Sequence, residues 1–152
     1  MSPASVLFAQ AATLDAGARA LLLHSDDLEL ARWAVAQVGP GGCVTALHSS
    51  HSALERLAGV AGLDVSDAVY PAADAHGPAD VVLVDIPKGR SVARAVLWTA
   101  GQALRPGGRL YLAGPNARGA KSAISDAVTL FGAAPVLGYK SSRRIAFATR
   151  TN

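Results

Sequence analysis

The segment Leu104-Arg105-Pro106-Gly107-Gly108-Arg109-Leu110-Tyr111-Leu112-Ala113 constrains the fold of this chain more than any other. A helical pattern runs from Ser91 to Leu104. Pro106 stops it, because proline has no amide N–H and its ring clashes with the preceding turn. Gly107 and Gly108 let the backbone turn, and an apolar strand starts at Leu110. A helix that feeds a strand through a tight turn is the closing half of a crossover unit, which predicts a mostly parallel sheet flanked by helices.

The rest of the chain repeats this rhythm. Ala20 to His24 reads as a short buried strand, and Ser25 or Asp26 is placed to cap a helix over Leu28 to Val38. Gly39-Pro40-Gly41-Gly42 ends that helix. Cys43 to His48 is a second strand. Ser49, Ser50 or Ser52 caps a helix carried by Ala53, Leu54, Leu57 and Ala58. A third strand is expected at Asp67 to Tyr70, then a loop to Pro78, and Val81 to Val84 is the clearest strand of all. Gly119 to Phe131 predicts a helix with Ala123, Ile124, Ala127, Val128 and Phe131 on its apolar side. Two strands close the chain, Pro135 to Lys140 and Arg144 to Thr149, joined tightly at Ser141-Ser142. In the last, Ile145, Phe147 and Thr149 alternate with Ala146 and Ala148, an antiparallel signature. The expected fold class is α/β: a Rossmann-like, doubly wound, seven-stranded, mostly parallel sheet with a closing antiparallel hairpin. Residues 1–18 form an arm or short helix ahead of one domain at 19–152.

Composition supports that class. Hydrophobic residues make up 51% of the 152 and aromatics only 5%, which suits a helix-covered sheet better than an aromatic-rich sandwich. No apolar run approaches the roughly 20 residues needed to span a bilayer, and no basic stretch precedes an apolar core at the N-terminus. The single Cys43 cannot form an internal disulfide and fits a reducing compartment. These features read as a cytoplasmic domain. Charge is uneven. Residues 1–104 hold six Arg/Lys against ten Asp/Glu, whereas residues 105–152 hold eight Arg/Lys and only Asp126. Such a basic third suits a phosphate backbone, although its cations are not interleaved with obvious exposed aromatics.

Five strand-helix units closed by a hairpin, with Leu104 to Ala113 leading into the fifth strand, resemble the class I S-adenosylmethionine-dependent methyltransferases over residues 20–150. Within them, Leu110-Tyr111-Leu112-Ala113-Gly114-Pro115-Asn116 followed by Gly119-Ala120-Lys121-Ser122 is similar to bacterial ribosomal RNA guanine-N2 methyltransferases of the small-subunit type. Members of that family carry two tandem methyltransferase-like domains. The resemblance is to the amino-terminal one, which is degenerate and supports the catalytic copy. It implies ribosomal RNA as a partner, together with a catalytic methyltransferase domain or self-association.

The resemblance also says where a methyl donor sits, at the carboxyl ends of the strands near the switch between the first and fourth. Active members place glycines after the first strand and a ribose-binding carboxylate at the end of the second. Here no glycine lies between Ala20 and Val38, and His24, Ser25, Asp26 and Asp27 fill the loop. His48 stands at the ribose position, where it offers at most a neutral contact near pH 7. S-adenosylmethionine is therefore disfavoured, although Asp26 or Asp27 is able to take over the ribose. After the fourth strand, amine-methylating relatives carry Asn-Pro-Pro and an aromatic. Asp85-Ile86-Pro87-Lys88 keeps only Pro87. Asp85 accepts a hydrogen bond from an exocyclic amine or simply caps the turn, and Lys88 cannot stack on a base as an aromatic does. If the chain is an active enzyme, Asp85 and Pro87 are the residues at its target.

The remaining constellations are weaker. His24, His48, His51 and His76 fall at or after the carboxyl ends of the first three expected strands, near Asp26, Asp27 and Asp74, but their spacing matches no metal signature and no metal is expected. No Gly-x-Ser-x-Gly elbow or P-loop is present. Arg118, Lys121, Lys140, Arg143 and Arg144, with Lys88, are the candidates for an RNA-facing patch. Lys88, Arg90 and Arg94 equally suit a solvated helix start.

Overall fold

A computed structural model describes residues 1–68, 70 and 78–151. Seven strands form one sheet: β1 (Arg19–Leu23), β2 (Cys43–Leu47), β3 (Leu63–Ser66), β4 (Ala79–Asp85), β5 (Leu104–Pro115), β6 (Val136–Lys140) and β7 (Arg143–Thr149). Their order across the sheet is β3-β2-β1-β4-β5-β7-β6, parallel except where β7 runs antiparallel to both β5 and β6. Among the described residues five helices cover it: α1 (Pro3–Ala11), α2 (Leu28–Val38), α3 (His51–Leu57), α4 (Arg90–Ala103) and α5 (Ala120–Phe131), with one 3-10 turn at Asn116–Arg118. The expected architecture is present, and the alternation of strand and helix is what produces it.

The continuous apolar runs of the central strands follow from having both faces covered. Ala20, Leu22, Val81, Leu83, Tyr111 and Ala113 pack beneath α1 and α2. Leu21, Leu23, Val82, Val84, Leu110 and Leu112 pack beneath α4 and α5. β7 is covered in the same way, so Ile145, Ala146 and Ala148 are all buried. Val128, expected on the inner side of α5, is 43% exposed.

Two expectations shift. The third strand is Leu63–Ser66, not Asp67 to Tyr70. It sits at the sheet edge, where backbone pairing to β2 holds a strand without an apolar run. The loop expected at 71–77, with Asp74 and His76, lies outside the described residues. At the other shift, the Pro-Gly-Gly turn is absorbed into a twelve-residue β5. Gly107 N–H donates to the Arg150 carbonyl and Arg150 N–H to that of Gly108, so the chain end pairs with the turn. Gly107 holds φ 81°, and a side chain on Gly108 would meet the Arg105 carbonyl at 2.9 Å, so the turn needs both glycines.

Candidate functional site

The strand order changes direction between β1 and β4, and the carboxyl ends on either side of that switch gather most of the singled-out polar residues. On the β1–β2 side the residue leaving β1 is His24. Its φ is 64°, a left-handed conformation that favours glycine, yet it carries an imidazole. Its Nε2 is buried without a hydrogen-bond partner among the described residues, and its ring lies 6.2 Å from that of His48. Burial, and then the neighbouring His48, lower the His24 pKa, so the ring is neutral at pH 7.

The other polar groups on this side are engaged locally. Asp27 caps α2, accepting from the Glu29 N–H at 2.9 Å and the Leu30 N–H at 3.4 Å. It also accepts from the Ser2 N–H at 2.7 Å, which ties the start of α1 to the loop after β1. Burial works against the charged form of Asp27. Donors from Ser2, Ser5, Glu29 and Leu30 outweigh it and hold the pKa below the usual carboxylate value. Asp26 pairs with Arg56 at 3.1 Å. His48 Nδ1 accepts the Ser50 N–H at 2.9 Å, while His51 pairs with Glu55 on α3.

On the β4–β5 side a cavity of about 410 Å³ opens between the start of α1 and the ends of β4, β5 and β7. Asp85, Pro115, Ala117, Arg118 and Arg143 line it, with Ser2, Pro3 and Ala4 as its wall. Burial pushes the Asp85 pKa up to about 6. Arg118 pulls it down, Asp26 and Asp27 push it up further, and Arg143 pulls it down. Among the described residues Asp85 makes no ion pair with either arginine. A carboxylate with a raised pKa in a cleft is the physical signature of a site able to hold or exchange a proton near neutrality.

The expected basic patch assembles at the same edge, because β6 runs parallel to β5 and the β6–β7 turn brings Lys140, Arg143 and Arg144 to the carboxyl end. Ser141 and Ser142 take φ values of 50° and 61°, the positive angles of a two-residue hairpin turn. Asn116 N–H donates to the Ser142 carbonyl and fastens the hairpin tip to the 3-10 turn bearing Arg118. Lys121 is exposed in the first turn of α5, and Lys88 is exposed between β4 and α4, after the half-buried Pro87. Arg90 and Arg94 do not join the patch. Both turn to Asp126 on α5, at 3.1 and 3.6 Å, and Asp126 is buried there.

Three participants escaped the sequence reading. Ser2 lies in a segment with little periodicity, Arg56 is not singled out by the sequence, and Tyr139 is only one residue of the expected strand Pro135 to Lys140. Tyr139 is 66% exposed, with the Arg144 guanidinium 5.1 Å from its ring centre. Only the sheet order, which puts β6 at the edge, could have announced it.

Neither a protein-family model nor a curated protein sequence matches the chain. Solved structures do. The 16S rRNA N2 G1207 methyltransferase of T. thermophilus, in complex with AdoMet and guanosine, superposes with a TM-score of 0.79 at 28% identity, over 99% of this chain and 39% of that one. TrmN from Thermus thermophilus matches with a TM-score of 0.70 at 20% identity, over 98% and 48%. A methyltransferase from Pyrococcus furiosus matches with a TM-score of 0.78 at 17% identity, over 100% and 84%. The chain thus spans well under half the length of the ribosomal RNA methyltransferase it resembles. Among the described residues, no helix is long and apolar enough to cross a membrane. From the strand order, the crossover helices and these superpositions together, the chain has the class I S-adenosylmethionine-dependent methyltransferase fold.

Proposed function

We propose that this chain is a noncatalytic RNA-binding domain of methyltransferase fold, related to the ribosomal RNA guanine-N2 methyltransferases and supporting a catalytic methyltransferase domain. The observation that carries this reading is the state of the donor side. His24 keeps a glycine-type backbone but carries a half-buried imidazole there. Asp27 is committed to the α2 cap and to Ser2, Asp26 to Arg56, and His48 Nδ1 to Ser50. A bound donor needs bare main chain for its methionine end and a free carboxylate for its ribose, and these residues fit neither need. The basic carboxyl edge, by contrast, leaves Arg118, Lys121, Lys140 and Lys88 without ion pairs among the described residues, as phosphate contact requires.

Calorimetric titration tests the donor side and a salt series tests the RNA side. Millimolar S-adenosylmethionine or S-adenosylhomocysteine should give no binding heat, while ribosomal RNA fragments bind and weaken as salt rises. Micromolar donor binding would instead establish a second reading, a catalytically active RNA methyltransferase with Asp26 or Asp27 on the ribose and Asp85 and Pro87 at the target amine. The cavity beside Asp85 and its raised pKa are the observations in favour of that alternative.

A further inference from the structure

β6 is the last strand of the sheet, and its residues 137 and 139 are exposed at 41% and 66%. Tyr139 and Arg144 are directly opposed across the β6–β7 pair and therefore share a face. The Arg144 guanidinium stands over one side of the ring, 5.1 Å from its centre, and is held there by the Asn116 side-chain oxygen at 2.9 Å. Lys140 and Arg143 form the next opposed pair and so present to the other face of the hairpin, where Arg143 lines the cavity beside α1.

Tyr139 differs from the other aromatics. Tyr111 is 3% exposed, and its hydroxyl accepts from Thr13 N–H and Arg109. Trp98 is 55% exposed, but the cations nearest along its helix, Arg90 and Arg94, are tied to Asp126. Among the described residues, Tyr139 is an exposed aromatic with a guanidinium of the carboxyl edge over one side of its ring.

We propose that Tyr139, backed by Arg144, is a stacking platform for an unpaired base of single-stranded RNA. The inference rests on the RNA-binding reading above and names the form of RNA it takes. An aromatic ring offers every base the same π-face, whereas a paired base in a duplex has its faces covered. A guanidinium on the far side of the ring adds a cation–π contribution and fixes the ring's orientation before binding. The platform is therefore selective for strandedness and tolerant of sequence.

Fluorescence anisotropy with a labelled oligouridylate of about ten nucleotides, and with a hairpin duplex of similar charge, separates stacking from charge. Tyr139→Ala should weaken the single strand by roughly five- to a hundredfold while leaving the salt slope unchanged, since every phosphate keeps its cation. Tyr139→Phe should bind like the native protein, and duplex affinity should be the same in all three. The ring is exposed, so thermal unfolding should move little in any variant. A change within twofold for Tyr139→Ala overturns the platform, as does an equal loss in Tyr139→Phe, which would point to the hydroxyl. Concentration-dependent self-association that Tyr139→Ala abolishes, without an RNA effect, overturns it in favour of a protein contact. If the native protein binds neither RNA at low salt, the RNA-binding reading falls as well.

Discussion

The two halves of the carboxyl edge are built from opposite chemistry. Beyond β1 and β2 stand acids and imidazoles, of which Asp27 is turned on Ser2 and the α2 cap, Asp26 on Arg56 and the His48 Nδ1 on Ser50. Beyond β4, β5 and β6 stand cations that face a cavity or solvent. Both halves sit on the same uninterrupted ladder, since the parallel pairing of β1 with β2 and β4 continues unbroken to Leu23. The loop after β1 takes a positive φ at His24 and carries a side chain at every position from His24 to Asp27.

Asp85 stands at the boundary and gives the largest expected effect. Its folded pKa, pushed up to about 6 first by burial, exceeds its ordinary value of 3.8. The folded state therefore binds more protons than the unfolded state between those values, and stability present in acid is lost as pH rises through about 6. Asp85→Asn should be more stable than the native protein by about 2 kcal/mol near pH 8, a value reduced from the full shift because the carboxylate is partly solvated. Urea unfolding from pH 4 to 8 measures this. Parallel curves for the two proteins would mean that the boundary carboxylate is as well solvated as any surface acid.

The basic half is tested next. Reversing Arg143→Glu and Arg144→Glu together should lower single-strand RNA affinity by about tenfold or more at low salt and reduce the salt slope by roughly 0.7 for each phosphate no longer neutralised. Arg90→Gln is the internal control. Its guanidinium is committed to Asp126, so it should leave the slope alone. Equal slopes in the native protein and the double reversal would remove the hairpin tip from the RNA surface.

How much of this was legible in the sequence varied with what each feature depends on. Helix α2 begins and ends where its spacing and its Gly39 stop predict, because both are local signals. β3 was misplaced by four residues, since an edge strand such as Leu63–Ser66 needs only a backbone partner and the apolar letters lie just beyond it. The gathering of His24, Asp26, Asp27, His48 and Asp85 at one edge could be read because polar residues end apolar strands in any doubly wound sheet. Which of them were already engaged could not. Arg56 reaches Asp26 from α3, and Ser2 reaches Asp27 from 25 residues away. The aromatic among the cations was missed for the same reason, since exposure of Tyr139 is a property of the sheet order.

Asp27→Ala probes the acidic half at its cap. Losing the acceptor for the Glu29, Leu30 and Ser2 N–H groups should cost about 1–2 kcal/mol at pH 7. Because these donors hold the folded pKa below its unfolded value, the stabilisation is present above about pH 4 and is lost as pH falls through the folded pKa. The native and variant unfolding curves should converge in acid. A constant gap would assign the loss to packing and not to the charged cap.

The smallest stability effect, and the narrowest probe of the comparison, is His24→Gly. Glycine takes a positive φ without the cost of roughly 1 kcal/mol that a side chain carries there, but it forfeits the imidazole's packing and gives the unfolded chain more freedom. These terms nearly cancel at pH 7, so the midpoint should shift little. The pH dependence should not cancel. Burial and His48 lower the folded pKa of His24, so the unfolded state binds the extra proton first and the native protein loses stability as pH falls below about 6.5. Asp85 acts in the opposite direction over a neighbouring window, which hides each slope behind the other. In an Asp85→Asn background the His24 slope stands alone, and His24→Gly should remove it. Persistence of that slope in the double variant would place its origin elsewhere than at the half-buried imidazole of the loop after β1.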